Sequence, residues 1–90
     1  MRLDLFLKWS RIIPRRTLAK EMCDAGRVRV NGNEARAGRD VHAGDTIEVR
    51  LPRRRVRFRI LSIPLHAPGK EGAREMLELL EDGRDSSEPV

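Results

Sequence analysis

Tyrosine is absent from this 90-residue chain, and its aromatic residues number three: Phe6, Trp9 and Phe58. A strand platform of aromatic rings on which bases stack is therefore excluded. Cys23 is the only cysteine; it cannot form an internal disulfide, and with no Cys/His cluster beside it a zinc site is excluded too. The expected setting is the reducing cytoplasm. No apolar run approaches the roughly 20 residues of a membrane span, so no membrane partner is expected. Met1-Arg2-Leu3-Asp4 meets an acid too early for a signal peptide. His42 and His66 are isolated, without a Ser or Cys nucleophile nearby, and no phosphate-cradling glycine loop is present. Catalysis needs converging partners, so neither an enzyme nor a cofactor or metal is expected. Ninety residues correspond to one domain, with no room for a catalytic domain beside a binding module.

Positive charge, by contrast, is abundant and unevenly placed. The chain carries 19 Lys+Arg against 14 Asp+Glu. Residues 1–59 hold 16 of those basic residues and 7 acids, whereas residues 60–90 hold 3 and 7. A cationic module of that density attracts polyanions, nucleic acid foremost. Sixteen of the basic residues are arginine, which grips phosphate bidentately where lysine acts as a point charge. A GC-rich genome would also favour arginine, but it would not produce the asymmetry.

The apolar pattern divides the chain into elements. Leu3, Phe6 and Leu7 recur at helical spacing, predicting a first helix from Arg2 to about Trp9. Asp4 and Arg2 fall in its first turn, off the apolar stripe; the helix dipole favours Asp4 and disfavours Arg2. After a basic connector, Pro14 can open a second helix ending near Ala25, with Leu18, Met22 and Ala25 on one face and Ala19 and Cys23 beside them. Gly26 stands where a left-handed glycine ends a helix. The period then becomes two. Val28 and Val30 precede Asn31-Gly32, a strong hairpin signal. Thr46 to Leu51 and Val56 to about Ile63 alternate as strands around a charged tip at Pro52-Arg53-Arg54-Arg55. The economical arrangement is α+β: an αα-hairpin packed on a small curved antiparallel sheet. This domain is expected over 1–63. Residues 64–81 are expected to form a linker and C-terminal helix, the helix starting at Glu71, and 82–90 a disordered tail.

The basic constellation is the remaining candidate site. Its members are Arg2, Lys8, Arg11, Arg15, Arg16 and Lys20 on the helical part, with Arg27, Arg29 and Arg36 around the hairpin. An ordinary solvated face is the bland alternative, since Asp4, Glu21, Asp24 and Glu34 could partner several of them. Yet basic residues outnumber acids six to three between Arg2 and Asp24, and no acid lies within four positions of Arg15-Arg16. RNA is favoured over DNA because neither a sequence-reading helix nor a dimerisation seam is recognisable; a monomer gripping structured RNA through phosphate and shape is expected. Arg53, Arg54 and Arg55, with Arg57 and Arg59, form a weaker second candidate that could simply keep a sheet edge soluble.

Arg2-Leu3-Asp4-x-Phe6-Leu7, Ser10-Arg11, Arg15-Arg16-Thr17-Leu18-Ala19-Lys20-Glu21, Gly26-Arg27-Val28-x-Val30-Asn31-Gly32 and Val41-x-x-Gly44-Asp45-x-Ile47 resemble the S-four RNA-binding domain. The matching runs span residues 2–51. Within that superfamily the whole chain resembles the small stand-alone RqcP type, cousins of heat-shock protein fifteen. The resemblance implies the S-four (alpha-L) fold and a factor on stalled large ribosomal subunits. Its partners would be large-subunit rRNA, peptidyl-tRNA and an Rqc2-type (NEMF-family) protein that tails the nascent chain. It also implies Arg2 and Arg16 as principal RNA contacts, with Arg11, Arg15 and Lys20 in support. Leu5 stands where the family usually carries lysine. The heat-shock relatives have a longer basic tail. Two alternatives stay open: a large-subunit recycling factor of the heat-shock-fifteen kind, and a ribosome assembly or structural protein. An RNA-modifying enzyme would carry a catalytic domain beside this one.

Overall fold

In a computed structural model that describes residues 1–83, the order is α1 (Leu3–Trp9), α2 (Arg16–Asp24), β1 (Val28–Val30), β2 (Asn33–Glu34), β3 (Thr46–Leu51), β4 (Arg54–Ile60), α3 (Lys70–Glu75) and β5 (Leu77–Gly83). The five strands form one antiparallel sheet in the order β2-β1-β3-β4-β5. Alternation places Val28, Val30, Ile47, Val49, Val56, Phe58 and Ile60 on its inner face, where all are buried. Leu3, Phe6 and Leu7 of α1 close that core from above, with the Phe6 and Phe58 ring centroids 6.2 Å apart.

Helix α2 buries Ala19, Met22 and Cys23. The face expected from its sequence is thus rotated: Leu18 is 40% exposed and Ala25 is exposed too, while Ala19 and Cys23 turn inward with Met22. The helix ends as its glycine predicts. Gly26 has φ +77, its N–H donates to the Cys23 carbonyl, and the Arg27 N–H donates to that of Met22; together these two bonds make a Schellman motif. A Cβ on Gly26 would meet Glu34 Oε1 at 3.1 Å. Gly26→Ala is expected to cost about 1–2 kcal/mol, chiefly for left-handed backbone, read as a lowered midpoint in thermal denaturation.

The Asn31-Gly32 hairpin forms with positive φ at both residues, 52 and 88, as a type I′ turn requires. Asn31 has a second task. Its amide donates to Asp45 Oδ1 (3.1 Å) and its Oδ1 accepts from the Thr46 N–H (3.0 Å), tying the hairpin to the turn before β3. Burial alone would raise the Asp45 carboxyl, but the His42 N–H, the Asn31 amide and the charges of His42 and Arg39 outweigh it and hold the group below its ordinary value.

The C-terminal segment departs most from expectation. A helix over 71–81 is cut to Lys70–Glu75, and residues 77–83 become the sheet's fifth strand. Ala73 and Met76 do bury at helical spacing, but Leu77 pairs with Ile60 and Leu79 with Phe58, the register shifting near Arg57 and Phe58. Strand β4 would otherwise leave a row of open N–H and C=O groups, and covering that edge outweighs the high intrinsic helix propensity of Met76 to Glu81. Strand β4 ends at Ile60, short of Ile63. Asp82 and Gly83, expected in the tail, belong to β5; the remainder of 82–90 lies outside the described residues.

Candidate nucleic-acid interface

The site is built around an acid. Helix α1 begins without a side-chain cap; the Leu3 and Asp4 N–H groups donate instead to the carbonyls of Arg39 and Ala37 (2.8 and 3.2 Å). That docking makes Arg2 the N-cap residue, just outside the helix, and puts Asp4 in the first turn, where the dipole favours it. The Asp4 side chain is only 3% exposed. Arg2 Nε donates to its Oδ1 at 3.2 Å, and Arg16 Nε, from the first turn of α2, donates to its Oδ2 at 3.3 Å. One buried carboxylate thus holds two guanidinium groups, each about half exposed. Both are gripped by Nε, and among the described residues they have no other charged partner. Their terminal nitrogens are therefore available to an outside acceptor in the bidentate geometry that phosphate suits. With Thr17 and Lys20 they line a shallow concavity of about 280 Å³.

The other sequence-predicted residues divide into groups. Lys8 and Arg11 line a separate cleft at the αα corner. Arg11 has φ 63, a left-handed conformation after α1 that usually favours glycine and is uncommon for a side chain this long. Arg15 is the N-cap residue of α2 and is exposed. Arg27 follows the Gly26 turn, Arg29 is exposed on β1 between two buried valines, and Arg36 is exposed in the loop after β2. None of these three lines the Arg2–Arg16 concavity. Lys8, Arg11, Arg15, Lys20, Arg27, Arg29 and Arg36 make no ion pair with another described residue.

The second basic candidate has the opposite character. Arg54 makes a bidentate pair with Asp82, its Nε 2.6 Å from Oδ1. Arg55 lies 3.0 Å from Glu81 and 3.8 Å from Glu48, Arg57 3.3 Å from Glu81, and Arg59 3.4 Å from Glu78. The acidic C-terminal strand pairs with these arginines, whereas Lys8, Arg11, Arg15 and Lys20 on the helical part and Arg27, Arg29 and Arg36 around the hairpin keep no such partner among the described residues.

Asp4 joins the two arginines, where the sequence showed it as a first-turn acid favoured by the helix dipole and as a counter-charge. Its signal was available: an acid in the first turn of one helix and an unopposed arginine pair at the start of the next. What was missing was the packing that joins the two turns. The same carboxylate reaches a third group. Burial first, then the Asp4 and Asp24 charges, push the Cys23 thiol up to about 12, against a smaller lowering from its backbone hydrogen bond. Since the thiolate is the reactive form, Cys23 in the native protein is expected to resist Ellman's reagent at pH 8 and to react fully once guanidinium unfolds the chain; prompt reaction without denaturant would contradict this.

The S4 domain pattern matches residues 1–47, more than half of the sequence and the whole of the helical face. The chain belongs to the S4 domain family. That domain is an RNA-binding module, and the match covers every basic residue discussed for the helices and hairpin. Whole-chain comparison agrees. The RQC P-site tRNA stabilizing factor of Bacillus subtilis (strain 168) is 45% identical over 82 residues, 91% of this chain and 94% of that protein. The protein of the same name from Streptococcus pneumoniae (strain ATCC BAA-255 / R6) is 40% identical over 93% of this chain and 94% of its own. Among solved structures, Vibrio cholerae heat shock protein 15, described as trimeric, superposes with a TM-score of 0.82 at 28% identity, covering 89% of this chain and 81% of that one. The α+β S4-type fold expected from the sequence is thus shown. No helix among the described residues is long and apolar enough to cross a membrane, and no group of three or more His, Cys, Asp or Glu side chains there could hold a metal.

Proposed function

We propose that this S4 protein is a non-enzymatic RNA-binding factor that holds peptidyl-tRNA on a stalled large ribosomal subunit. It contacts rRNA and tRNA together while an Rqc2-type (NEMF-family) partner extends the nascent chain. The reading rests on the relatives' shared name, RQC P-site tRNA stabilizing factor, and on one feature of this molecule: the Asp4 carboxylate orienting Arg2 and Arg16 with their outer nitrogens open. Lys8, Arg11, Arg15 and Lys20 extend that field across the helical face, with Arg27 and Arg36 as outlying contacts. The work is electrostatic bridging. A rigid corner presents preformed donors to two phosphate backbones, and no bond is made or broken. On this reading the protein acts in the cytoplasm as a monomer.

The test is pelleting through a sucrose cushion with purified large subunits, with and without P-site tRNA. Co-sedimentation should be strongest with tRNA present. Its log affinity should fall with log salt at about 0.7–0.9 per phosphate neutralised. Equal binding to translating and free subunits would favour the ribosomal-protein alternative, and a flat salt response would sink the electrostatic mechanism.

A further inference from the structure

At the corner between α1 and the connector lies a cleft of about 340 Å³ lined by Lys8, Trp9, Arg11, Pro14, Ala67 and Pro68. Its volume falls at the small end of ligand clefts, roughly 300–1,000 Å³. Three features set it apart from the Arg2–Arg16 concavity. It contains the chain's only tryptophan, half-buried against the core. Its walls otherwise include two prolines, which offer flat apolar surface and no N–H. Its two cations, Lys8 and Arg11, are exposed and have no charged partner among the described residues, and Arg11 keeps a left-handed backbone there. Arg11 lines the cleft from that backbone; uncommon backbone of this kind concentrates at ligand sites.

We propose that this cleft is a subsite for one unpaired nucleotide, with its base against Trp9 between the prolines and its phosphate on Lys8 and Arg11. An indole face stacks any base, and two cations at the rim select an anionic sugar-phosphate over a neutral aromatic. The subsite rests on the proposed RNA-binding function and adds to it. The Arg2–Arg16 clamp reads backbone phosphate only, whereas this cleft would give the protein a preference for structured RNA that offers an extruded base beside a helix.

Trp9 is its own reporter. With the full-length protein, tetra-adenylate and adenosine 5′-monophosphate should quench Trp9 fluorescence saturably, and inorganic phosphate at matched ionic strength should not. A hairpin RNA carrying a one-nucleotide bulge should bind more tightly than its perfectly paired counterpart. Trp9→Leu should remove that difference, weakening the bulged RNA about tenfold while leaving the paired one unchanged; base–aromatic stacking of about 1–3 kcal/mol supports that size. Lys8→Gln with Arg11→Gln, both surface changes, should abolish quenching by the monophosphate. Unchanged fluorescence while both hairpins bind equally would overturn the subsite and leave the RNA-binding function standing. Absence of binding to either hairpin would overturn both. Equal quenching by an oligo-glutamate peptide would reassign the cleft to an acidic protein segment, and so overturn the nucleotide.

Discussion

Replacing Arg16 by alanine is expected to weaken association with tRNA-bearing large subunits about 10- to 100-fold while leaving the fold intact. The magnitude follows from the worth of a hydrogen bond to a charged group, about 1.5–3 kcal/mol. The fold should survive because Arg16 is half exposed and its loss leaves Asp4 still paired with Arg2. Asp4→Asn provides the sharper companion. It makes the protein more positive by one unit, so a diffuse-charge mechanism predicts tighter RNA binding. The clamp predicts weaker binding, about fivefold, because an amide cannot hold two guanidinium groups through two oxygens, and each freed side chain must be ordered on binding at about 0.5–1.5 kcal/mol. Filter binding at fixed salt decides between them by the sign of the change. Tighter binding by the Asn variant would show that Asp4 competes with phosphate instead of preparing for it.

Neutralising the acidic strand should have the opposite result. The triple variant Glu78→Gln, Glu81→Gln, Asp82→Asn removes the partners of Arg54, Arg57 and Arg59 and leaves Arg55 only Glu48 among the described acids it is seen to pair with. RNA affinity at low salt is expected to rise at least tenfold. The log–log salt slope should steepen by about 0.7–0.9 for each phosphate these arginines capture, and discrimination between tRNA-bearing and empty subunits should be lost. Thermal stability should change little, since exposed ion pairs are screened and weak, and the backbone pairing of β4 with β5 is retained. An unchanged salt slope would mean that the arginines of β4 are held away from RNA by something other than these acids. On this account the C-terminal acids confine binding to the helical face, which is how a small, strongly basic protein avoids coating every RNA it meets.

How much of this could be read before folding was considered depends on the range of the interaction. The helix ends near residues 3, 9 and 24, the Gly26 terminus and the Asn31-Gly32 turn are set within a few residues and appear where their local signals lie, whereas α2 starts at Arg16, two residues after the Pro14 expected to open it. The buried face of α2 differs from the expected one at Leu18 and Ala25, because the angle at which a helix is docked by its neighbours, which local periodicity does not give, fixes which of its adjacent stripes turns inward. The segment after Met76 was misread for a related reason. Ala73, Met76, Leu77 and Leu80 recur at helical spacing, and only the open edge of β4, outside that local pattern, selects a strand for Leu77–Gly83.

The candidate site shows the same division. Arg2, Arg16 and Lys20 were legible as positive charge and as part of the S4 resemblance; the convergence of Arg2 and Arg16 on one carboxylate was not, since Asp4 and Arg16 are twelve residues apart and meet only when α1 packs on α2. Lys8 and Arg11 were likewise visible as cations, but their cleft with Trp9 requires the segment between β4 and α3 to bring Ala67 and Pro68 beside them. The sequence by itself determined that the protein is a small cationic module with its arginines at a helical corner and acids at its end, because charge and short-range periodicity are written in the chain. The tertiary structure alone decided which arginines stay open and which are silenced. Coulomb and hydrogen-bond energies depend on distances of about 3 Å, and no spacing in the sequence specifies those.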